Sequence, residues 1–210
     1  ILQTLMKWWR WMLSILSSGI LRWTLRYCGR RCLWYLRVAE RYRILWLLKK
    51  PFIVREEEIE RMKVCLVGSS GGHLTHLYML KPFWKNKERF WVTFDKEDAR
   101  SILKGEKMYS CYFPTNRSIK ALIKNTKIAW KVLRKEKPDL LISSGAAVAV
   151  PFFYLGKIMG AKLIYIEVFD RIDKPTMTGK MVYPIVDRFI VQWEEQKKVY
   201  PKAINLGSIF

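Results

Sequence analysis

The residues best suited to chemistry form one short run, Gly68-Ser69-Ser70-Gly71-Gly72-His73. Glycines let backbone approach a ligand closely, and the N–H groups that open a following helix attract anions. A histidine at the same mouth titrates near neutral pH and suits a general base. The run is not GxGxxG and lacks the GK[ST] of a P-loop, so it points to neither a dinucleotide nor a nucleotide-hydrolysing site. A plain strand–helix turn uses glycines in the same way, and His73 is what raises the signal. His76 falls one helical turn on, a packing or solvent-facing position. With two histidines in the chain and no acid cluster beside them, neither a metal nor a cofactor is expected.

Ser143-Ser144-Gly145 repeats the logic, with backbone N–H groups for a second anion-binding edge or a small-residue turn. Glu167 is a second candidate base or an organiser of its loop. Asp170, Arg171 and Asp173 follow, and Arg171 is placed either to pair with these acids or to hold a phosphate. Gln192 and Trp193 are candidates for a partner interface, although Trp193 also suits a core position or a sugar-stacking platform.

These residues need elements to position them. Apolar runs at 63–67, 90–94, 109–113, 140–142, 162–166, 188–191 and 203–206 read as strands. Helical spacing predicts helices over 74–83, 97–103, 118–135, 146–159 and 177–183. In the long helix, Ile119, Leu122, Ile123, Ile128, Ala129, Val132 and Leu133 are the expected inner stripe. Asp95 is the expected cap of the helix at 97, and Pro151 is tolerated only early in its helix or at a kink. The alternation predicts an α/β fold, a Rossmann-like doubly wound parallel sheet. Ligands then bind beyond the carboxyl ends of the strands, at loops 68–73, 94–95, 114–117, 143–146 and 167–174.

The chain has 210 residues and a formal charge of +21, which calls for an anionic partner. Half of it is apolar, so wholesale disorder is excluded. Four cysteines make no disulfide scaffold. Residues 1–61 differ from residues 62–210. They hold six of the ten Trp, with arginines roughly every helical turn between apolar residues. Eleven uninterrupted residues, 11–21, are too few to span a bilayer, which takes about 20. Two readings stand. One is a helix lying in a membrane interface as a basic anchor. The other is a start-site artefact, since Arg55-Glu56-Glu57-Glu58 before Met62 is what a purine-rich ribosome-binding site would encode. Cys28-Gly29-Arg30-Arg31-Cys32 has no His or second Cys pair beside it and is read as incidental. No zinc motif, RNP motif or basic recognition helix supports nucleic acid as the anionic partner.

Five segments occur together: Gly68–Leu74, Ser143-Ser144-Gly145, Tyr165-Ile166-Glu167, Thr178-Gly179-Lys180 and Asp187–Trp193. In this order they resemble the oligosaccharide-biosynthesis family of the membrane-recruiting subunit of the dolichol-linked N-acetylglucosamine transferase. The nearest likeness is to the PssD-type glycosyltransferase-enhancing subunits of bacterial capsule and exopolysaccharide synthesis. The resemblance covers 62–210. It implies the acceptor-side half of a split GT-B glycosyltransferase whose separate partner chain binds the nucleotide sugar. The reaction implied is inverting transfer of galactose or N-acetylglucosamine from a UDP-sugar to a polyprenyl-diphosphate-linked acceptor. His73 is then the candidate base and Glu167 the alternative. Gly68, Ser69, Ser70, Gly71, Gly72, Ser143, Ser144, Gly145 and Arg171 are candidates for the acceptor diphosphate. The implied location is the cytoplasmic face of a bacterial plasma membrane, on an anionic surface, peripheral or anchored by the N-terminal segment. The alternative is a non-catalytic scaffold that only stabilises and recruits the partner.

Overall fold

A computed structural model describes residues 61–114 and 118–208. The anchor and artefact readings of residues 1–60, and residues 115–117 of the loop expected at 114–117, lie outside the described residues.

Seven strands form one parallel sheet: β1 Val64–Val67, β2 Arg89–Phe94, β3 Met108–Cys111, β4 Leu140–Ser143, β5 Lys162–Ile166, β6 Arg188–Val191 and β7 Ile204–Asn205. Their order is β3-β2-β1-β4-β5-β6-β7. The helices between them are α1 Gly72–Met79, α2 Lys81–Trp84, α3 Glu97–Ile102, α4 Ile119–Glu136, α5 Ala149–Ile158 and α6 Met177–Val182, with a 3-10 turn at Glu194–Lys198. All seven expected strands are present. Both sheet faces are covered, which is why β1, β4 and most of β2 read as unbroken apolar runs. Val64, Leu66, Trp91, Ile142 and Ile164 pack with Leu74, Leu77 and Trp84 on one face. Cys65, Val67, Val92, Leu141 and Leu163 pack with Ala129, Leu133, Phe152 and Phe153 on the other.

Three local expectations are corrected. The helix expected over 74–83 is two helices, because Pro82 lacks an N–H and clashes with the preceding turn, so the chain restarts at Leu80. Asp95 does not cap α3. Its carboxylate takes two bonds from Arg100, at 2.6 and 2.8 Å, and the N-cap position falls on Lys96. The inner stripe of α4 runs through Ala121, Asn125, Ala129, Val132, Leu133 and Glu136, and Ile119, Leu122 and Ile123 point outward. The core accepts the small and polar side of the first two turns, because Asn125 is needed inside to bond both backbone groups of Tyr112.

The strand order decides where a ligand would sit. From β1 the chain proceeds outward to β2 and β3, then returns to place β4 on the other flank of β1. The loops after β1 and β4 therefore diverge at the switch point, where open α/β sheets form their crevice.

Candidate functional site at the β1–β4 switch point

His73 and Ser144, 71 positions apart, are tied by two reciprocal bonds. The His73 Nδ1 lies 3.0 Å from the Ser144 carbonyl oxygen, and the Ser144 hydroxyl donates to the His73 carbonyl at 2.8 Å. A carbonyl only accepts, so Nδ1 carries the proton and the basic lone pair is on Nε2. Burial lowers the His73 pKa below the usual value of 6.5, against the opposing pull of the Ser144 bond and the Asp170 charge. The neutral imidazole is thereby the form present at pH 7. His76 is buried, and burial lowers its pKa too, with the neighbouring His73 adding to the effect.

Gly145 is there for His73. A Cβ at Gly145 would lie 2.7 Å from His73 Cε1 and 3.2 Å from the Tyr165 hydroxyl, and the residue holds φ +128°. Only glycine allows both that backbone and that approach. Ala146 follows with φ 70°, so the chain turns sharply into α5.

The anion-binding edges differ from expectation in two places. The Gly71 N–H, at φ 80°, is already bonded at 2.6 Å to the Asp98 carboxylate from α3. The Gly145 N–H is taken by the Ser143 hydroxyl at 3.0 Å. Neither is a ready donor to a diphosphate. The opening turn of α1 still offers N–H groups at Gly72, His73 and Leu74, because the first helical bond runs from Thr75 to the Gly71 carbonyl. Gly68 N is used in the sheet, donating to Val92 O at 3.0 Å, while Ser69 and Ser70 are half-buried on the loop between.

Glu167 is fully buried at the end of β5. Its carboxylate accepts from Val168 N, from the Thr176 N–H and hydroxyl, and from the Tyr200 hydroxyl. Burial raises its pKa, and those bonds only partly offset the effect. With its oxygens so engaged it organises the β5–α6 loop, the second of its two expected roles. Thr176 is the hub. Its hydroxyl gives its proton to Glu167 at 2.9 Å, accepts from Gly179 N at 3.0 Å as the cap of α6, and lies 3.3 Å from the Tyr165 hydroxyl, which must then donate. A Cβ at Gly179 would fall inside contact distance of both the Glu167 carboxylate and Tyr200 OH. Thr176 and Tyr200 were not singled out in the sequence, and Tyr165 entered only as part of the Tyr165-Ile166-Glu167 segment. The one available signal was the Thr-x-x-Gly spacing ahead of α6, which is a cap pattern.

Arg171 is exposed, its Nε 4.0 Å from the carboxylate of adjacent Asp170. It shares the 167–176 loop with Asp170, whose charge reaches His73. Gln192, expected at a partner interface, exposes almost none of its own surface. Its side-chain amide donates to the Glu167 carbonyl at 2.9 Å, binding β6 to the end of β5. Trp193 is half-buried, its indole N–H donating to Phe169 O at 2.7 Å and its ring 5.0 Å from that of Phe169.

The sequence matches the family described as "Oligosaccharide biosynthesis protein Alg14 like" over residues 110–209. Curated relatives carry the name UDP-N-acetylglucosamine transferase subunit ALG14. The Homo sapiens protein is 26% identical over 79% of this chain and 90% of its own length. The Candida albicans protein is 28% identical over 79% and 87%. Among solved structures, Acinetobacter baumannii MurG aligns with TM-score 0.53 and 14% identity over 64% of this chain. A UDP-N-acetylglucosamine 2-epimerase from Rickettsia bellii aligns with TM-score 0.58 and 16% identity over 71%. These two are likenesses of fold. The chain spans 42% and 45% of their lengths, less than half of each. The resemblance to the oligosaccharide-biosynthesis family is borne out, and a special closeness to PssD-type subunits is not. The expected bacterial plasma-membrane location is overturned, since the ALG14 relatives come from eukaryotes, Homo sapiens, Candida albicans and Schizosaccharomyces pombe among them. Among the described residues, no helix is long and apolar enough to cross a membrane.

Proposed function

Taking the chain as a relative of the Alg14-like oligosaccharide-biosynthesis family, we propose that it is the acceptor-side half of a two-chain glycosyltransferase. It works with a donor-binding partner chain. Together they move a sugar, N-acetylglucosamine on the names of its relatives, from a UDP-sugar to a lipid-diphosphate-linked acceptor. The fold supports this reading, because the chain aligns with less than half of each of these two solved structures. The observation that carries it is the His73–Ser144 clamp at the switch point. An inverting displacement needs one base beside the acceptor hydroxyl. His73 Nε2, neutral and oriented through Nδ1, fills that role, and the first turn of α1 receives the diphosphate. Glu167 is a positioning residue for the loop that carries Asp170 and Arg171.

The test is reconstitution of the full chain with its donor-binding partner, a labelled UDP-sugar and a polyprenyl-diphosphate sugar. Transfer is expected from the pair and not from this chain alone. His73→Ala should lower kcat by about a hundredfold or more while the two chains still co-elute. An unchanged rate in an intact complex removes His73 from the chemistry. It would favour the scaffold reading, which the prior engagement of the Gly71 and Gly145 N–H groups also supports.

A further inference from the structure

The outward side of α4 is unlike an ordinary solvated helix face. Ile119 is 75% exposed, Ile123 53% and Leu122 42%, with Trp130 two turns on at 44%. Their spacing, i, i+3, i+4 and i+11, makes a second apolar stripe beside the buried one. Lys120, Lys124, Lys127 and Lys131 repeat at i, i+4, i+7 and i+11 and flank it, and no acid occurs in the helix before Glu136. Across the lysine row, on the flank of α4 nearest β3, Tyr112 and Phe113 are both exposed where the chain leaves β3. This corner is built. Buried Asn125 bonds both backbone groups of Tyr112, at 2.8 and 3.1 Å, and the Phe113 ring packs 5.2 Å from Phe94. Lys124 lies over the Tyr112 ring at 3.9 Å and Lys96 over Phe113 at 4.3 Å.

We infer that this surface, the outer stripe of α4 with the Tyr112–Phe113 corner, docks the protein on an anionic lipid bilayer. Apolar and aromatic side chains enter the acyl boundary, and the lysines beside them reach the headgroup phosphates. Charge complementarity selects this occupant. A second copy of the chain would set the lysine row against another of the same sign, whereas an anionic leaflet meets it with the opposite sign. The placement is consistent with the site. The N-terminus of α4 and the exit of β3 lie at the carboxyl edge of the sheet, as do the loops carrying His73 and Ser144. Docking there turns the mouth of the crevice toward the headgroup layer. The purpose of docking rests on the lipid-linked acceptor proposed above, but the docking itself does not.

The experiment places an environment-sensitive fluorophore on Ile123→Cys in the full chain, with Cys28 and Cys32 changed to Ser. Cys65 and Cys111 are buried and stay unlabelled. A label on Lys104→Cys, exposed at the opposite edge of the sheet, is the control. Vesicles of phosphatidylcholine with phosphatidylserine should blue-shift the label at 123 and expose it to quenching by doxyl lipid, leaving the label at 104 in water. Each lysine contributes about fivefold to partitioning, so replacing Lys120, Lys124 and Lys127 by Gln should raise the lipid needed for half-response about a hundredfold. The inference is overturned by a label at 123 that stays in water while the protein floats with the vesicles. It is overturned equally by a response that is the same on pure phosphatidylcholine. A shift produced by raised protein concentration or by the partner chain without lipid assigns the face to a protein and also overturns it. Transfer to a short-chain soluble acceptor separates the two proposals. Label insertion without transfer defeats the functional reading alone, and transfer without insertion defeats the docking face alone.

Discussion

His73 owes its chemistry to two neighbours that are distant in sequence. Ser144 fixes the tautomer, and Gly145 leaves the space for the ring. Because burial lowers the His73 pKa, the acid limb of kcat/KM should fall below pH 6.5, with transfer lost as pH drops through it. A pH–rate profile of the reconstituted pair checks this, and a limb at or above 6.5 contradicts it. Gly145→Ala should displace the imidazole and strain the φ +128° turn, lowering kcat by at least about tenfold and lowering Tm while the domain stays folded at assay temperature. Single-turnover kinetics beside thermal melts distinguish that outcome from global unfolding.

At the scale of elements, two contacts join helices to strand ends. Glu136 closes α4 onto the amino edge of the sheet, accepting from Lys63, Lys107 and Tyr109. Burial alone would raise its carboxyl, but bonds from Lys107, Lys63 and Tyr109 prevail and hold its pKa at about 2. Its stabilising effect is therefore complete above pH 4.5 and fades as pH falls toward 2. Glu136→Gln should cost about 2 kcal/mol at neutral pH. Urea midpoints of the two proteins should converge on acidification, and a constant gap down to pH 2 would refute the assignment. Gly179→Ala drives a methyl into the Glu167–Tyr200 pair at the cap of α6, with an expected loss of about 2–3 kcal/mol. Thermal melting measures it, and a neutral result would mean that the buried carboxylate is free to move.

For the whole molecule, the charge of +21 divides between two unlike parts. Residues 1–61 contribute +8 and residues 62–210 contribute +13. On α4 the charge forms a row beside exposed apolar side chains, a pattern suited to a bilayer rather than to base readout. Binding to duplex DNA should therefore show no sequence preference and fall steeply between roughly 50 and 200 mM salt. A salt-titrated assay against several sequences checks it, and a strong preference would reopen the nucleic-acid reading.

The sequence by itself determined the strands, their parallel arrangement and the loops in which the site lies. Apolar runs buried on both faces and glycine turns are local signals that one chain displays openly. It also displayed His73 at the mouth of the first loop. Only the tertiary structure decided what His73 touches, that Glu167 and Gln192 are committed to holding strand ends, and that Asp98 and Ser143 occupy N–H groups expected for a ligand. Each of these is a contact set by strand order or by a turn that no periodicity encodes. The same reason inverts the reading of α4. Helical spacing marks apolar positions, but which of two apolar stripes is buried depends on where the neighbouring strand ends, and Asn125 bound to Tyr112 turns Ile119, Leu122 and Ile123 outward.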